Sequence, residues 1–201
     1  MPTSLLVVDD FLQRPDAVRA AALRLSYPDL QGAFAGRNSE QRMEITGLSE
    51  EVSRLTGEAL TPIQPLRSHS KCRITLEGEV GLGRVHIDPG YWSGILYLSR
   101  PEDCQGGTEF FRHKPTNSDR APITHEELRA AGFSSTAQLE TEVLNKHSND
   151  ESKWEKTMEV PMRYNRLLLL RPWMWHTAGP GFGNCLENGR LIMVMFFQPK
   201  R

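Results

Sequence analysis

The chain has 201 residues, 38% of them hydrophobic and 24% charged, with a formal net charge of -1. Such a length fits one domain with a sizeable core. The near-neutral charge leaves no electrostatic case for nucleic acid or an anionic membrane as partner.

The opening Met1-Pro2-Thr3-Ser4 lacks the basic and apolar regions of a signal peptide, so a cytoplasmic protein is expected. Leu5 to Val8 is a short apolar run that reads as a strand running into a turn at Asp9-Asp10. Pro15-Asp16 then opens a helix to about residue 25, stopped by Tyr27-Pro28. Residues 31–39 read as a Gly-rich loop, and residues 49–59 as a second helix with Glu50 and Glu51 in its first turn.

From Ser68 the period changes to two. Cys72, Ile74 and Leu76 alternate with Lys71, Arg73 and Thr75, as in a strand with one polar face. A glycine-containing turn over 77–83 leads to a strand carrying His86 and Asp88, which ends at Pro89-Gly90. Further strands are expected over 93–99 and 106–111. Residues 112–157 break the rhythm. They are polar, carry the capping-box pattern Thr124-His125-Glu126-Glu127, and have a second helical piece over 135–146. They read as a mostly helical insertion, either a lid or a surface decoration.

Strands resume at 158–162 and 166–170. The four leucines from Leu167 to Leu170 are far too few to span a bilayer. A final strand over 190–198 sets Arg190, Ile192, Val194 and Phe196 on one face and Leu191, Met193, Met195 and Phe197 on the other. Cys72, Cys104 and Cys185 are odd in number, widely spaced and form no CxxC, so reduced thiols are expected. The fold class is mainly β with flanking helices, a jelly roll or double-stranded β-helix with a cupin-like core. One domain over 1–201 would comprise an N-terminal strand and helices (1–67), a core (68–111 and 158–199) and the insertion.

Alternation in an extended chain points His86 and Asp88 to the same side. With the distant His176 they make a 2-His-1-carboxylate set, which fills one face of an octahedral Fe(II) and leaves the other open. Arg190 is a candidate clamp for a dicarboxylate through paired hydrogen bonds. Tyr97, in an otherwise apolar strand, can add a bond to the same carboxylate. Tyr91, Trp92, Trp173 and Trp175 flank these positions as candidate substrate walls, and Arg37 and Arg73 are candidates to meet a substrate carboxylate.

His86-Ile87-Asp88, Ile95-Leu96-Tyr97-Leu98-Ser99, Gly106-Gly107-Thr108-Glu109-Phe110, Asn165 to Leu170, His176 and Arg190 occur in an order that resembles Fe(II)/2-oxoglutarate-dependent dioxygenases. The prolyl-hydroxylase-type branch looks nearest, and the opening Val7 to Leu12 is similar to small bacterial relatives of that superfamily. The resemblance implies that His86, Asp88 and His176 bind iron. It implies that Arg190 pairs with the distal carboxylate of 2-oxoglutarate and that Tyr97 helps hold it. It implies a reaction with O2 in which 2-oxoglutarate is decarboxylated to succinate while a C–H bond is hydroxylated, or a related desaturation or cyclisation occurs. Asp88 argues against halogenation, since superfamily halogenases lack that carboxylate. The substrate expected is an amino-acid-like small molecule or a peptide. Two rival readings remain. One is a cupin-type Zn or Mn enzyme, although the chain has no His-x-His. The other is a non-catalytic jelly-roll module that binds a ligand or protein.

Overall fold

A computed structural model describes residues 3–29 and 32–200. Met1 and Pro2, of the opening that lacks signal-peptide character, and Gln31, of the expected loop, lie outside them. The architecture has four layers: helices, a large sheet, a small sheet, helices.

The large sheet is antiparallel. Its order is β1 (Leu5–Val8), β8 (Leu167–Leu170), β5 (Trp92–Tyr97), β10 (Arg190–Pro199), β4 (Lys71–Thr75) and β2 (Arg37–Arg42), with β3 (Leu60–Pro62) also paired to β10. The small sheet is β7 (Trp154–Pro161), β6 (Gly107–His113) and β9 (His176–Ala178). Together they form the expected jelly-roll core.

Each strand's sequence follows from which faces it buries. All four leucines of β8 have no exposed surface, because Leu167 and Leu169 face one core and Leu168 and Leu170 the other. A strand covered on both sides reads as a continuous apolar run. In β10 the two expected faces part as read. Leu191, Met193, Met195 and Phe197 pack under helices α1 (Pro15–Ala22) and α2 (Leu48–Thr56), while Ile192 and Val194 face the small sheet. Burying apolar side chains on both sheet faces is the main driving force for this stack, at roughly 25 cal/mol per Å².

Several boundaries differ from expectation. The first helix ends at Ala22, and its last turn tightens through Arg24 N–H to Ala21 O and Leu25 N–H to Ala22 O. The second begins at Leu48 and stops at Gly57, whose left-handed φ of 70° ends the hydrogen-bond ladder. Part of the expected loop, from Arg37 on, is strand β2. Its Arg-Asn-Ser-Glu-Gln-Arg sequence carries no apolar signal because it sits at a sheet edge, paired only with β4 across an irregular register. His86 and Asp88 lie in no regular strand: one isolated bridge, His86 to His176, is the sole β pairing described there. Strand β7 starts at Trp154, so the excursion between strands spans 114–153.

Within that excursion, Thr124 caps α3 (His125–Ala130) by accepting from Glu127 N–H. The Glu127 carboxylate reaches one residue further back than a capping box requires, to Ile123 N–H. Ser135 caps α4 (Thr136–Leu139), which runs on as a π-helical turn over Glu140–Asn145. Leu128, Leu139 and Val143 from these helices pack on Phe111, Trp154 and Trp175, the outer face of the small sheet. The insertion is therefore a fourth layer behind that sheet. The three cysteines are free.

Gly107 is where β6 comes closest to β7. A Cβ there would stand 2.0 Å from Val160 O, a backbone atom that cannot swing away. Gly107→Ala is expected to cost about 1–3 kcal/mol by forcing the two strands apart, read as a lower urea midpoint.

Candidate metal centre

His86, Asp88 and His176 each offer a donor atom, and these atoms all lie within 4.8 Å of one another. His86 Nε2 is 3.7 Å from Asp88 Oδ1, and His176 Nε2 is 3.3 Å from Asp88 Oδ2. The imidazole centroids are 4.5 Å apart. Three backbone hydrogen bonds bring these distant residues together. His86 N–H donates to His176 O at 2.9 Å and His176 N–H to His86 O at 3.1 Å. Asp88 N–H donates to Pro172 O at 2.9 Å, which anchors the last residue of His86-Ile87-Asp88 to the loop before His176.

The second nitrogen of each ring fixes its tautomer. His86 Nδ1 lies 2.9 Å from Arg84 O, and His176 Nδ1 lies 2.7 Å from Met174 O. A carbonyl only accepts, so both Nδ1 atoms carry a proton, and both Nε2 atoms, directed at Asp88, are the ones available to a metal. Backbone carbonyls orient metal-ligating histidines in the same way.

Electrostatics keep the three groups distinct. Burial disfavours charge on Asp88, yet the adjacent imidazoles outweigh it and hold the carboxyl at about 2. Burial, with His176 nearby, pushes His86 down to about 4. Burial also opposes charge on His176, but the Asp88 carboxylate wins and raises it. Asp88 is thus anionic at neutral pH and His86 is a neutral donor. His176 is 2% exposed, whereas the His86 and Asp88 side chains keep 17% and 16% of their surface open. The open side of the cluster is theirs.

Arg190 is 1% exposed, and none of its three side-chain nitrogens finds a hydrogen-bond partner among the described residues. It opens β10 opposite Thr75, on the face that looks toward the small sheet. Burial lowers its pKa, and the partly compensating influence comes from Tyr97 and Cys104. Tyr97 lies in the same inter-sheet core, with its hydroxyl 2.7 Å from Thr108 Oγ1. Phe110 links this region to the cluster, packing in that core with its ring centroid 6.2 Å from His176.

The residues expected to wall a substrate or meet its carboxylate are engaged with other partners. Trp92 is fully buried on the opposite face of β5 from Tyr97, with Nε1 donating to Glu58. Tyr91 and Trp92 sandwich the Arg171 guanidinium at 4.3 and 4.0 Å, and Trp173 flanks it at 5.6 Å. Arg171 in turn pairs with Glu58. Trp175 points into the outer core beside Trp154. Arg37 pairs with Glu79 at 3.1 Å. Arg73 spends its guanidinium on Phe34 O, Ala35 O, Gly36 O and Asn38 Oδ1, leaving it committed to a loop rather than to a ligand.

That loop carries a residue with no sequence signal. Phe34 stacks at 4.1 Å on His86, from a stretch with neither periodicity nor motif. Gly83 N–H to Ala33 O, at 2.8 Å, ties the loop to the turn before His86.

Fold and site together define a jelly-roll protein with a buried His-Asp-His cluster whose donor set suits a metal ion. The chain belongs to DUF6445, a family of unknown function, whose model matches residues 83–197 and so spans His86, Asp88, His176 and Arg190. No curated protein matches. Among solved structures, HygX from Streptomyces hygroscopicus with nickel and 2-oxoglutarate bound is 18% identical, with 98% of this chain and 84% of that one covered at a TM-score of 0.43. The same protein with hygromycin B also bound gives 16% identity and 0.45 over the same coverage. A Pseudomonas putida prolyl-4-hydroxylase gives 13% identity and 0.47, covering 98% of this chain and 94% of that one. Overlaps this loose define no shared site, and the functional reading rests on the chain's own side chains.

Proposed function

We propose that this chain is a non-haem Fe(II)/2-oxoglutarate-dependent oxygenase that oxidises a C–H bond of an amino-acid-like small molecule or a peptidyl substrate. His86, Asp88 and His176 hold the iron, and Arg190, with Tyr97 beside it, receives the 2-oxoglutarate carboxylate. The observation that carries the reading is the convergence of two imidazole Nε2 atoms and one ionised carboxylate in a largely buried cluster, with a guanidinium unpaired among the described residues in the adjoining core. One carboxylate and two imidazoles suit ferrous iron with open positions.

The fit extends to charge. Asp88 supplies an anion that is already ionised at neutral pH. Arg190 supplies a cation in a site where water does not compete, so a carboxylate gains both charge pairing and parallel hydrogen bonds. When bound, iron with 2-oxoglutarate and O2 supplies the oxidation of an unactivated C–H bond, with succinate and carbon dioxide as co-products. The protein's part is to orient two rings through Arg84 O and Met174 O, keep the carboxylate ionised, and exclude water. Substrate approaches from the open side of His86 and Asp88, past Phe34.

The test is an anaerobic reconstitution with Fe(II) followed by addition of 2-oxoglutarate and air. Succinate release, coupled or uncoupled to a substrate panel, is the expected result. Stoichiometric zinc or manganese without succinate would favour the cupin-type enzyme, and no metal uptake would favour a binding module.

A further inference from the structure

We propose that the helical insertion is the positioning layer of the metal centre and acts through Ser148, which fixes the backbone immediately before His86. The proposal rests on the metal reading above. Ser148 is buried, at 7% exposure, at the end of the excursion behind the small sheet. Its hydroxyl accepts from Arg84 N–H at 2.8 Å and donates to Val85 O at 2.9 Å, and its carbonyl accepts from Val85 N–H at 3.2 Å. One residue therefore satisfies three backbone groups of two consecutive residues.

Those two residues decide where the His86 ring points. Arg84 O is the acceptor for His86 Nδ1. His86's own N–H and C=O are taken by His176 on the other side. The segment lies in no regular strand, so Ser148 stands where a neighbouring strand's backbone would. Without its hydroxyl, Arg84 N–H and Val85 O lose their partner, and the Arg84 carbonyl that sets the ring is less firmly held, although the Arg84 side chain still pairs with Glu109 and Glu151.

Ser148 is itself anchored from the small sheet. The preceding residue, His147, has Nδ1 2.9 Å from His113 Nε2, and its carbonyl accepts from Trp154 Nε1 at 2.8 Å. His113 and Trp154 face each other at the β6 and β7 ends. Val85 packs into the same outer core as Trp175, so the residue before each histidine is gripped by the insertion layer. The insertion thus braces both halves of the cluster from behind, leaving the His86 and Asp88 edge open.

Co(II), a visible stand-in for ferrous iron, is titrated into apo wild type, Ser148→Ala and Val52→Ala. The alanine at 148 removes one atom and leaves the ligands in place, and circular dichroism of the apo variants shows whether each is folded at the assay temperature. Ser148→Ala is expected to weaken Co(II) binding about 10- to 100-fold, the usual loss for an outer partner of a metal ligand, and to change the visible Co(II) absorption as the His86 ring reorients. Val52→Ala, which loosens the core under α2 on the far face of the large sheet, is expected to melt lower with unchanged Co(II) affinity and spectrum. A Ser148→Ala protein with wild-type affinity and spectrum overturns the proposal, as does equal weakening by Val52→Ala. A wild type that takes up no Co(II) overturns the metal reading as well, which separates the two failures.

Discussion

Asp88→Ala is expected to abolish succinate formation and to weaken ferrous-ion binding by more than about 100-fold, beyond the loss typical of an outer-shell change. Asp88 is the only anion among the three donors. It lies within 3.7 Å of both imidazole Nε2 atoms, so it is the group that ties the cluster together. Its removal leaves two neutral rings, whose attraction for a divalent cation lacks the charge term that dominates in a buried site. The variant should also lower the His176 pKa, because the carboxylate is what raises that group against burial. NMR titration of the apo protein reads that change directly. Full succinate turnover by Asp88→Ala without added carboxylate would sink the ligand assignment, and an unmoved His176 titration would sink its electrostatic basis.

What was legible in the sequence follows from which residues have their surroundings set locally. The alternation in β10 was readable because each of its faces meets a different core, and the two apolar sets differ only in direction. The leucines of β8 were readable as a strand buried on both sides. The common direction of His86 and Asp88 survived although their strand did not form, since an extended backbone suffices for it and the regular ladder is supplied by His176 and Ser148 instead. Strand β2 was invisible because an edge strand of polar residues needs no apolar alternation.

Two of the expected aromatic walls, Trp92 and Trp175, turn away from the cluster for a reason of parity. Trp92 stands five positions before Tyr97 on one strand, so the two must point to opposite faces. Trp175 adjoins His176 and points away from it, into the outer core. Nearness in sequence to a ligand therefore argued against, not for, a place in the pocket. Arg73 and Arg37 were free in the sequence only because their partners, the carbonyls of 34–36 and the Glu79 carboxylate, lie in loops whose path no periodicity reveals.

Arg190→Met is expected to act in two opposite directions. A guanidinium with three unpaired nitrogens and 1% exposure carries a desolvation cost that no described residue repays. Replacing it with an apolar side chain of similar length should stabilise the ligand-free fold by about 1–4 kcal/mol, the range seen when buried ionic groups give way to packed apolar ones. For a chain of this size each kcal/mol raises Tm by about 2–4 °C. The same change removes the cation that meets 2-oxoglutarate. Wild-type protein should therefore gain Tm on addition of 2-oxoglutarate, through binding to the folded state alone, and Arg190→Met should not. A higher Tm without ligand and a lost response to ligand are hard to obtain together unless the arginine is held in place for an anion. A variant that melts lower than wild type and still responds to 2-oxoglutarate would assign Arg190 to the core and leave the carboxylate without a receptor.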